Sequence, residues 1–436
     1  MEEDRSGRWP AVRWLSRQTD GLAGLAVAAA LAVGCGVAPS VAESGQAAGR
    51  QAGQQAGQPV GLLRPGSAAG MSGGAGASLH GANAGSGTTL VYIGQEGGQI
   101  QALRLDTAQG RLSVLGTVAE LPRPRWAVSD PQRGLLYVAS DAQGQPGKVL
   151  AYAVQPETGA LSKLNELGAG GAGTTHLALD PVSRTLLAAN FGGGSAVSLA
   201  IKPDGGLEEL VSSRQAIGSG PHRRQASPHA HGVTLDPSGR FALVPDLGAD
   251  RVFVYPFDRA THRLAADDGV TPRSFPVAPG SGPRRVLFSP QGQSAYVLDE
   301  LSADVLVAGW NEVAGTLTLR QTVPISSEGF QGAKSSAEMV LTPDGRFLVV
   351  ADRGEHTLVV FRTDPATGQL AFVQRLPAGG DRPWNLALDP GGRWLLVANQ
   401  QSNTVNLFSL DAATGRITDT GQSVASAAPL SITFYP

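Results

Sequence analysis

A turn followed by a nearly all-apolar strand returns along this chain about every 50 residues, and that period restricts the fold more than any single motif. Asp130-Pro131 precedes LLYVAS, Asp180-Pro181 precedes TLLAAN, and Asp236-Pro237 precedes FALVPD. Ser289-Pro290 then precedes SAYVLD, Thr342-Pro343 precedes FLVVAD, and Asp389-Pro390 precedes WLLVAN. Proline presets φ at the first turn position, and the polar or Gly residues after it complete the reversal. A strand that is nearly all apolar, on both alternating faces, needs cover on both.

A second landmark, a polar or Gly-containing turn closing on Leu or Ile, falls later in each unit. It ends at Leu112, Leu161, Leu207, Leu264, Leu317, Leu370 and Ile417, seven times against six for the proline turn. The two counts agree if one unit is divided between the chain ends, with Thr89–Gly94 and the final LSITFYP in the same sheet. No long stretch has the apolar period of an amphipathic helix. The expected fold is all-β, a seven-bladed propeller of four-stranded antiparallel blades whose ring is closed by the terminal strands. Asp-Pro and Thr-Gly pairs are then turn chemistry. Gly192-Gly193-Gly194 lies between two strands and reads as a hairpin turn, not a phosphate loop.

The repeats occupy residues 88–436, and what precedes them reads differently. Arg13 and Arg17 lead into the apolar run Gly21–Gly34, too short to span a bilayer but suited to an export signal over residues 1–42. Leu31-Ala32-Val33-Gly34-Cys35 approximates a lipobox, with Ala32 where Leu is usual; Ser40-Val41-Ala42 offers ordinary cleavage instead. The first exit anchors the protein to a membrane through lipidated Cys35, and the second releases it to the periplasm. The acidic start Glu2-Glu3-Asp4 also fits a leader that is never processed. Residues 43–87, rich in Gly, Ala, Ser and Gln, cannot bury enough surface to order themselves and read as a disordered linker. The only cysteine is Cys35, so the repeat region has no disulfide, thiol nucleophile or cysteine metal site. A formal net charge of −2 argues against a nucleic-acid partner.

Turns and cores leave a small set of side chains unexplained, all just before a proline turn or just after a buried strand. They are His231, Arg284, Arg285, Glu338 and Asn385 in the first group, and Asn190, Asp246, Glu300, Arg353 and Asn399 in the second. At equivalent points of successive blades these would converge on one end of a central channel. A His or Glu can take a proton from water, and arginines can hold an anion or stabilise an oxyanion, which together suit attack on an ester-like carbonyl. Polar ties between blades are the structural alternative. His222, His229 and His231 share one loop and invite a metal reading, but neighbouring arginines and a lack of carboxylates oppose it; neither metal nor cofactor is expected.

The run HGVTLDPSGRFALVPDLGADRVFVY, with GPRRVLFSP, Asp299-Glu300-Leu301, AEMVLTPDGRFLVVADRG and NLALDPGGRWLLVANQQSNTV, resembles the propeller lactonases. That family includes bacterial 6-phosphogluconolactonases of the propeller type and fungal carboxymuconate-lactonising enzymes. The resemblance covers residues 88–436 and implies an active site of His231, Arg284, Glu300 and Arg353. His229, Arg285, Asp246, Glu338 and Asn385 follow as substrate-binding candidates. Departures occur at the rim: Arg285 stands where members often have His, Trp384 where they often have Arg, and Phe191 where Tyr is usual. Asp352-Arg353-Gly354 likewise replaces Asn-Arg-Gly. The expected function is hydrolysis of a sugar-derived lactone, phosphorylated or not. The rival is a non-catalytic extracytoplasmic propeller that binds or scaffolds a partner.

Overall fold

The computed structural model describes residues 87–142, 145–265 and 273–436; the expected export signal with Cys35, and the linker up to residue 86, lie outside them. Each apolar run becomes the second strand of a sheet: Leu135–Ser140, Thr185–Asn190, Phe241–Asp246, Ser294–Asp299, Phe347–Asp352 and Trp394–Asn399 are buried at every residue. The cover comes from neighbouring sheets. Seven apolar clusters fill the described region, and each joins two successive blades, as Leu243 and Val254 of one blade meet Val286 and Val297 of the next.

The seven sheets are antiparallel, and the ring closes as the sequence implied. Pro429–Tyr435 pairs with Thr88–Gln95, placing Tyr435 opposite Leu90 and Ser431 opposite Gly94. Blade 1 therefore takes its innermost strand from the C-terminus, and blades 2 to 7 follow in chain order. Innermost strands of successive blades touch all the way round, the C-terminal strand meeting those of blades 2 and 7. Blade 4 differs from the other six. Its outer strand arrives as two short pieces, Arg263–Leu264 and Ser274–Pro276, both paired with Arg251–Asp258.

The Thr-Gly landmark has a packing cause. Gly315 and Gly415 take φ of +67° and +73°, and a Cβ on either would strike Phe241 or Phe347, the first residue of a buried strand in an adjacent blade. The outer turns thus lock each blade onto its neighbour.

Candidate active site

The innermost strands share one irregularity that aims side chains inward. Their pairing slips between Pro124 and Trp126, Thr174 and His176, Pro283 and Arg285, Ser336 and Met339, and Pro383 and Asn385. Such a bulge leaves one residue unpaired and re-aims it. The residue concerned lies five positions before each proline turn: Arg125, Thr175, His231, Arg284, Ala337 and Trp384. In blade 4, Ala230 bridges Asp246 and the His231 N–H donates to the Pro245 carbonyl at 2.9 Å, fixing His231 at the same level. One position later come Trp126, His176, Gly232, Arg285, Glu338 and Asn385.

Residues of this second level meet across the ring. Arg285 Nε donates to Glu338 Oε2 at 2.8 Å, and both side chains are buried. The Arg285 guanidinium lies 4.7 Å from the centre of the Trp126 ring, which in turn packs 4.3 Å from His176. Blades 5, 6, 2 and 3 are tied together by these contacts. Gly232 leaves the room: a Cβ there would stand 3.3 Å from Arg285 Nη1, which reaches past it to the His231 carbonyl. Burial, reinforced by Arg285, holds His176 well below the ordinary imidazole range.

Glu300, only 2% exposed, organises the level above. Its Oε2 accepts from Arg284 Nη1 at 2.8 Å and lies 3.5 Å from His231 Nε2, while Oε1 is 3.0 Å from Arg353 Nη2. The four residues singled out as catalytic thus come together from blades 4, 5 and 6. Burial alone would raise the Glu300 carboxyl, but Arg353 and Arg284 overcome it and hold the group well below its usual range, as a carboxylate. His231 is shifted in the same direction, which for an imidazole favours the neutral form. Burial and then Arg284 take its imidazole well below 6.5, so it is neutral at pH 7. Arg285 Nη1 lies 3.2 Å from Nδ1 and Arg284 Nη1 touches Nε2. Guanidiniums only donate, and a neutral imidazole has one acceptor nitrogen, so protonating the ring would set it against both.

Arg353 lies 4.6 Å from the centre of the Trp384 ring, so the residue that departs from the family pattern supplies an aromatic face to the cation. His229 donates from Nδ1 to the Phe191 carbonyl at 2.8 Å and stacks on that ring, whose edge meets His231 at 5.1 Å. His222 bonds within its own loop, so the three histidines of that segment point to different partners.

Two candidates are bonded elsewhere. Asp246 Oδ1 accepts the backbone N–H groups of His229 and Ala249 at 2.7 and 2.9 Å, holding a turn, and burial raises its pKa. Asn385 Oδ1 accepts the Ile432 N–H at 3.0 Å and ties blade 7 to blade 1. The strand-end position of Asp246 is one residue before that of Glu300 and Arg353, and one residue along a strand reverses the side chain.

Sequence reasoning passed over four residues of the mouth: Arg125, Trp126, His176 and Arg224. Arg224 Nη1 donates to Glu300 Oε1 at 2.6 Å from the loop before blade 4. Arg125 occupies in blade 2 the level of Arg284 in blade 5. Burial lowers its pKa, with Arg123 and Arg284 adding to the effect, and its guanidinium has no hydrogen bond or ion pair among the described residues. Arg123 beside it is paired with Glu96 at 2.8 Å and Asp141 at 3.6 Å. These side chains present six guanidiniums (Arg123, Arg125, Arg224, Arg284, Arg285, Arg353) and four carboxylates (Glu96, Asp141, Glu300, Glu338), an excess of two positive charges.

A closed ring of seven blades with a buried His–Arg–Glu–Arg cluster at one mouth defines the class: a propeller with a charged cluster where the innermost strands converge. The chain belongs to the lactonase family of seven-bladed β-propellers, whose family model matches residues 83–434. It is 33% identical over 297 residues to a 6-phosphogluconolactonase of Bacillus subtilis, covering 68% of this chain and 82% of that one. A 6-phosphogluconolactonase of an Enterobacter species is 29% identical over 273 residues, 63% of this chain and 76% of the relative. Among solved structures, a periplasmic gluconolactonase of Pseudomonas aeruginosa is 34% identical with a TM-score of 0.74, over 80% of this chain and 99% of that one.

Proposed function

We propose that the chain hydrolyses a sugar-derived lactone at the mouth built around Glu300, with no metal or cofactor in the reaction. The observation that carries the reading is the convergence of His231, Arg284 and Arg353 on one buried carboxylate. Neutral His231 takes a proton from water as the water oxygen bonds to the lactone carbonyl carbon. Arg284 and Arg353 stabilise the oxyanion. Negative charge developing beside Arg284 offsets the guanidinium field that keeps His231 neutral, so the imidazole gains basicity as the transition state forms. Ionised Glu300 then stabilises the imidazolium. Collapse of the tetrahedral intermediate breaks the bond to the ring oxygen, His231 returns the proton to that oxygen, and a hydroxy acid leaves.

The excess positive charge of the mouth suits an acidic lactone. The leader adds a second restriction: an exported enzyme, periplasmic or anchored through Cys35, is separated from cytoplasmic sugar phosphates. An unphosphorylated sugar lactone is therefore as good a candidate as 6-phosphoglucono-1,5-lactone, the substrate named by its relatives. Proton release from a panel of neutral, phosphorylated and carboxylated lactones tests the reading. His231→Ala should lower kcat on the responsive lactone by about 10²-fold or more. Failure of the wild type on every lactone would return the chain to the binding-propeller alternative.

A further inference from the structure

We propose that Arg224 is a specificity-determining residue that receives the anionic substituent of the substrate, a carboxylate or a phosphate, at the channel mouth. The proposal rests on the lactonase reading for its kinetic test and stands apart from it in its binding test.

Arg224 is the guanidinium of the cluster whose charge is not needed to balance Glu300. That carboxylate already faces two buried guanidiniums, Arg284 at 2.8 Å and Arg353 at 3.0 Å. The side chains of Arg284 and Arg353 are 4% and 5% exposed, and Arg284 spends its Nε on the Ala337 carbonyl. Arg224 is 41% exposed and commits only Nη1, so of the five N–H donors of a guanidinium four are open to a ligand. A planar fork with a free edge is the geometry that binds a carboxylate or phosphate by two parallel hydrogen bonds.

The loop that carries it is anchored, so ordering Arg224 costs little on binding. Gln225, the next residue, is fully buried: its Nε2 donates to the Leu247 carbonyl at 2.8 Å and to Asp250 Oδ1 at 2.6 Å. Its Oε1 accepts the His222 N–H at 2.9 Å, and the Ser227 carbonyl packs against Gly248 too closely for any Cβ there. Arg224 is thus an exposed guanidinium on a fixed base, held by Nη1 against the Glu300 carboxylate. Arg125, half-buried in the same mouth and without a hydrogen bond or ion pair among the described residues, adds to the attraction for an anion.

The test compares wild type, Arg224→Gln, Arg224→Lys and Arg223→Gln. Arg223 is exposed, makes no hydrogen bond or ion pair among the described residues, and controls for net charge. The kinetic readout is the ratio of kcat/KM for an acidic sugar lactone, phosphorylated or carboxylated, to that for its neutral counterpart. Arg224→Gln should lower the ratio by on the order of 10- to 100-fold, the scale of one or two charge-assisted hydrogen bonds, chiefly through KM. Arg224→Lys should recover part of it, and Arg223→Gln should leave it unchanged. Whichever acidic lactone loses more identifies the substituent. An unchanged ratio in Arg224→Gln, or an equal fall in Arg223→Gln, overturns the proposal. Calorimetric titration with inorganic phosphate reads the same site without turnover. Weaker phosphate binding in Arg224→Gln alone supports the proposal even if no lactone is hydrolysed; equal binding in all four proteins overturns it.

Discussion

The two ends of the propeller channel are built from the same repeats and put to opposite uses. At the hairpin-turn end the repeat is chemically monotonous. Asp236 Oδ1 accepts the N–H groups of Arg240 and Phe241, both at 2.8 Å, and Asp389 Oδ1 accepts those of Arg393 and Trp394 at 2.7 and 2.5 Å. Thr342 does the same for Phe347 through its hydroxyl. A broad cavity of about 1210 Å³ opens among these turns, lined by Pro131, Asp389, Pro390 and Trp394, so space alone does not mark a site. Five residues earlier in each repeat, at the other end, the same backbone position holds Arg, Thr, His, Arg, Ala and Trp. Where the repeat keeps one kind of group, a short side chain with an oxygen acceptor ahead of proline, a turn requires it; where the kind changes from blade to blade, the fold leaves the position free for chemistry.

The sharpest way to break this contrast is to remove one group from each end. Glu300→Gln should lower kcat on a responsive lactone by about 10²-fold or more. It also leaves Arg284 and Arg353 without their counter-charge, so a loss of about 3–5 kcal/mol in stability is expected as well. Asp236→Ala removes the acceptor of two turn N–H groups, that of Phe241 buried and that of Arg240 partly so, and should cost about 1–3 kcal/mol, with kcat per folded molecule unchanged. Denaturant titration beside steady-state kinetics reads both. If Asp236→Ala also abolished turnover in the folded protein, the division between the two ends would not hold.

The pH dependence sharpens the same contrast at the mouth. A general base must be unprotonated, and His231 is held well below 6.5 by burial and then by Arg284. The kcat/KM profile should therefore stay level down through pH 6.5 and fall only at distinctly lower pH. A midpoint close to 6.5 would show that His231 does not feel the arginine field during turnover. Stability follows the same sign. The unfolded imidazole takes up a proton that the native one refuses, so stability should decline as pH drops below about 6.5.

The ring and its closure were legible because they depend on local rules: a proline turn, a doubly apolar strand and a glycine with positive φ repeat at fixed spacing. The catalytic candidates were legible through the same spacing, since His231 and Arg284 both stand five residues before a turn. Arg125 stands there too, before Asp130-Pro131, and the count would have found it. Asp246 entered the candidate set because reading to the end of a strand does not fix which face its last residue takes. Glu300 and Arg353 are one residue further and turn into the mouth. Arg224 was not legible from spacing at all. It lies in a loop outside the repeat, and only the fold brings it 76 positions along the chain to Glu300. The stack of Arg285 on Trp126 joins opposite blades and belongs to the same class.

Asp299 offers the smallest effect and the closest test of register. It holds the strand-end position of Asp246 and Asp352, immediately before Glu300. Asp352 Oδ1 accepts the Gly354 N–H at 2.8 Å and Asp246 holds its own turn, but neither oxygen of Asp299 has a partner among the described residues. Burial, then Asp304 and Asp250, raise its carboxyl well above 3.8, so the native state favours the protonated form. The sign follows directly. The native state binds a proton that the unfolded chain has released, so stability falls as pH rises from the unfolded value near 4 toward the raised native one. Above that window the loss is complete. Asn at this position has the shape of the acid and no charge to lose, and Asn190 and Asn399 already occupy it in blades 3 and 7, donating to the Ala169 and Ala378 carbonyls at 2.8 Å. Asp299→Asn should therefore gain about 1 kcal/mol at pH 8 and little near pH 4, with kcat unaltered, as denaturant midpoints at the two pH values would read. A loss of stability at pH 8 would mean that the carboxylate is ionised and paired in the native protein. A loss of kcat would mean that one residue of register does not separate the structural position from the catalytic one.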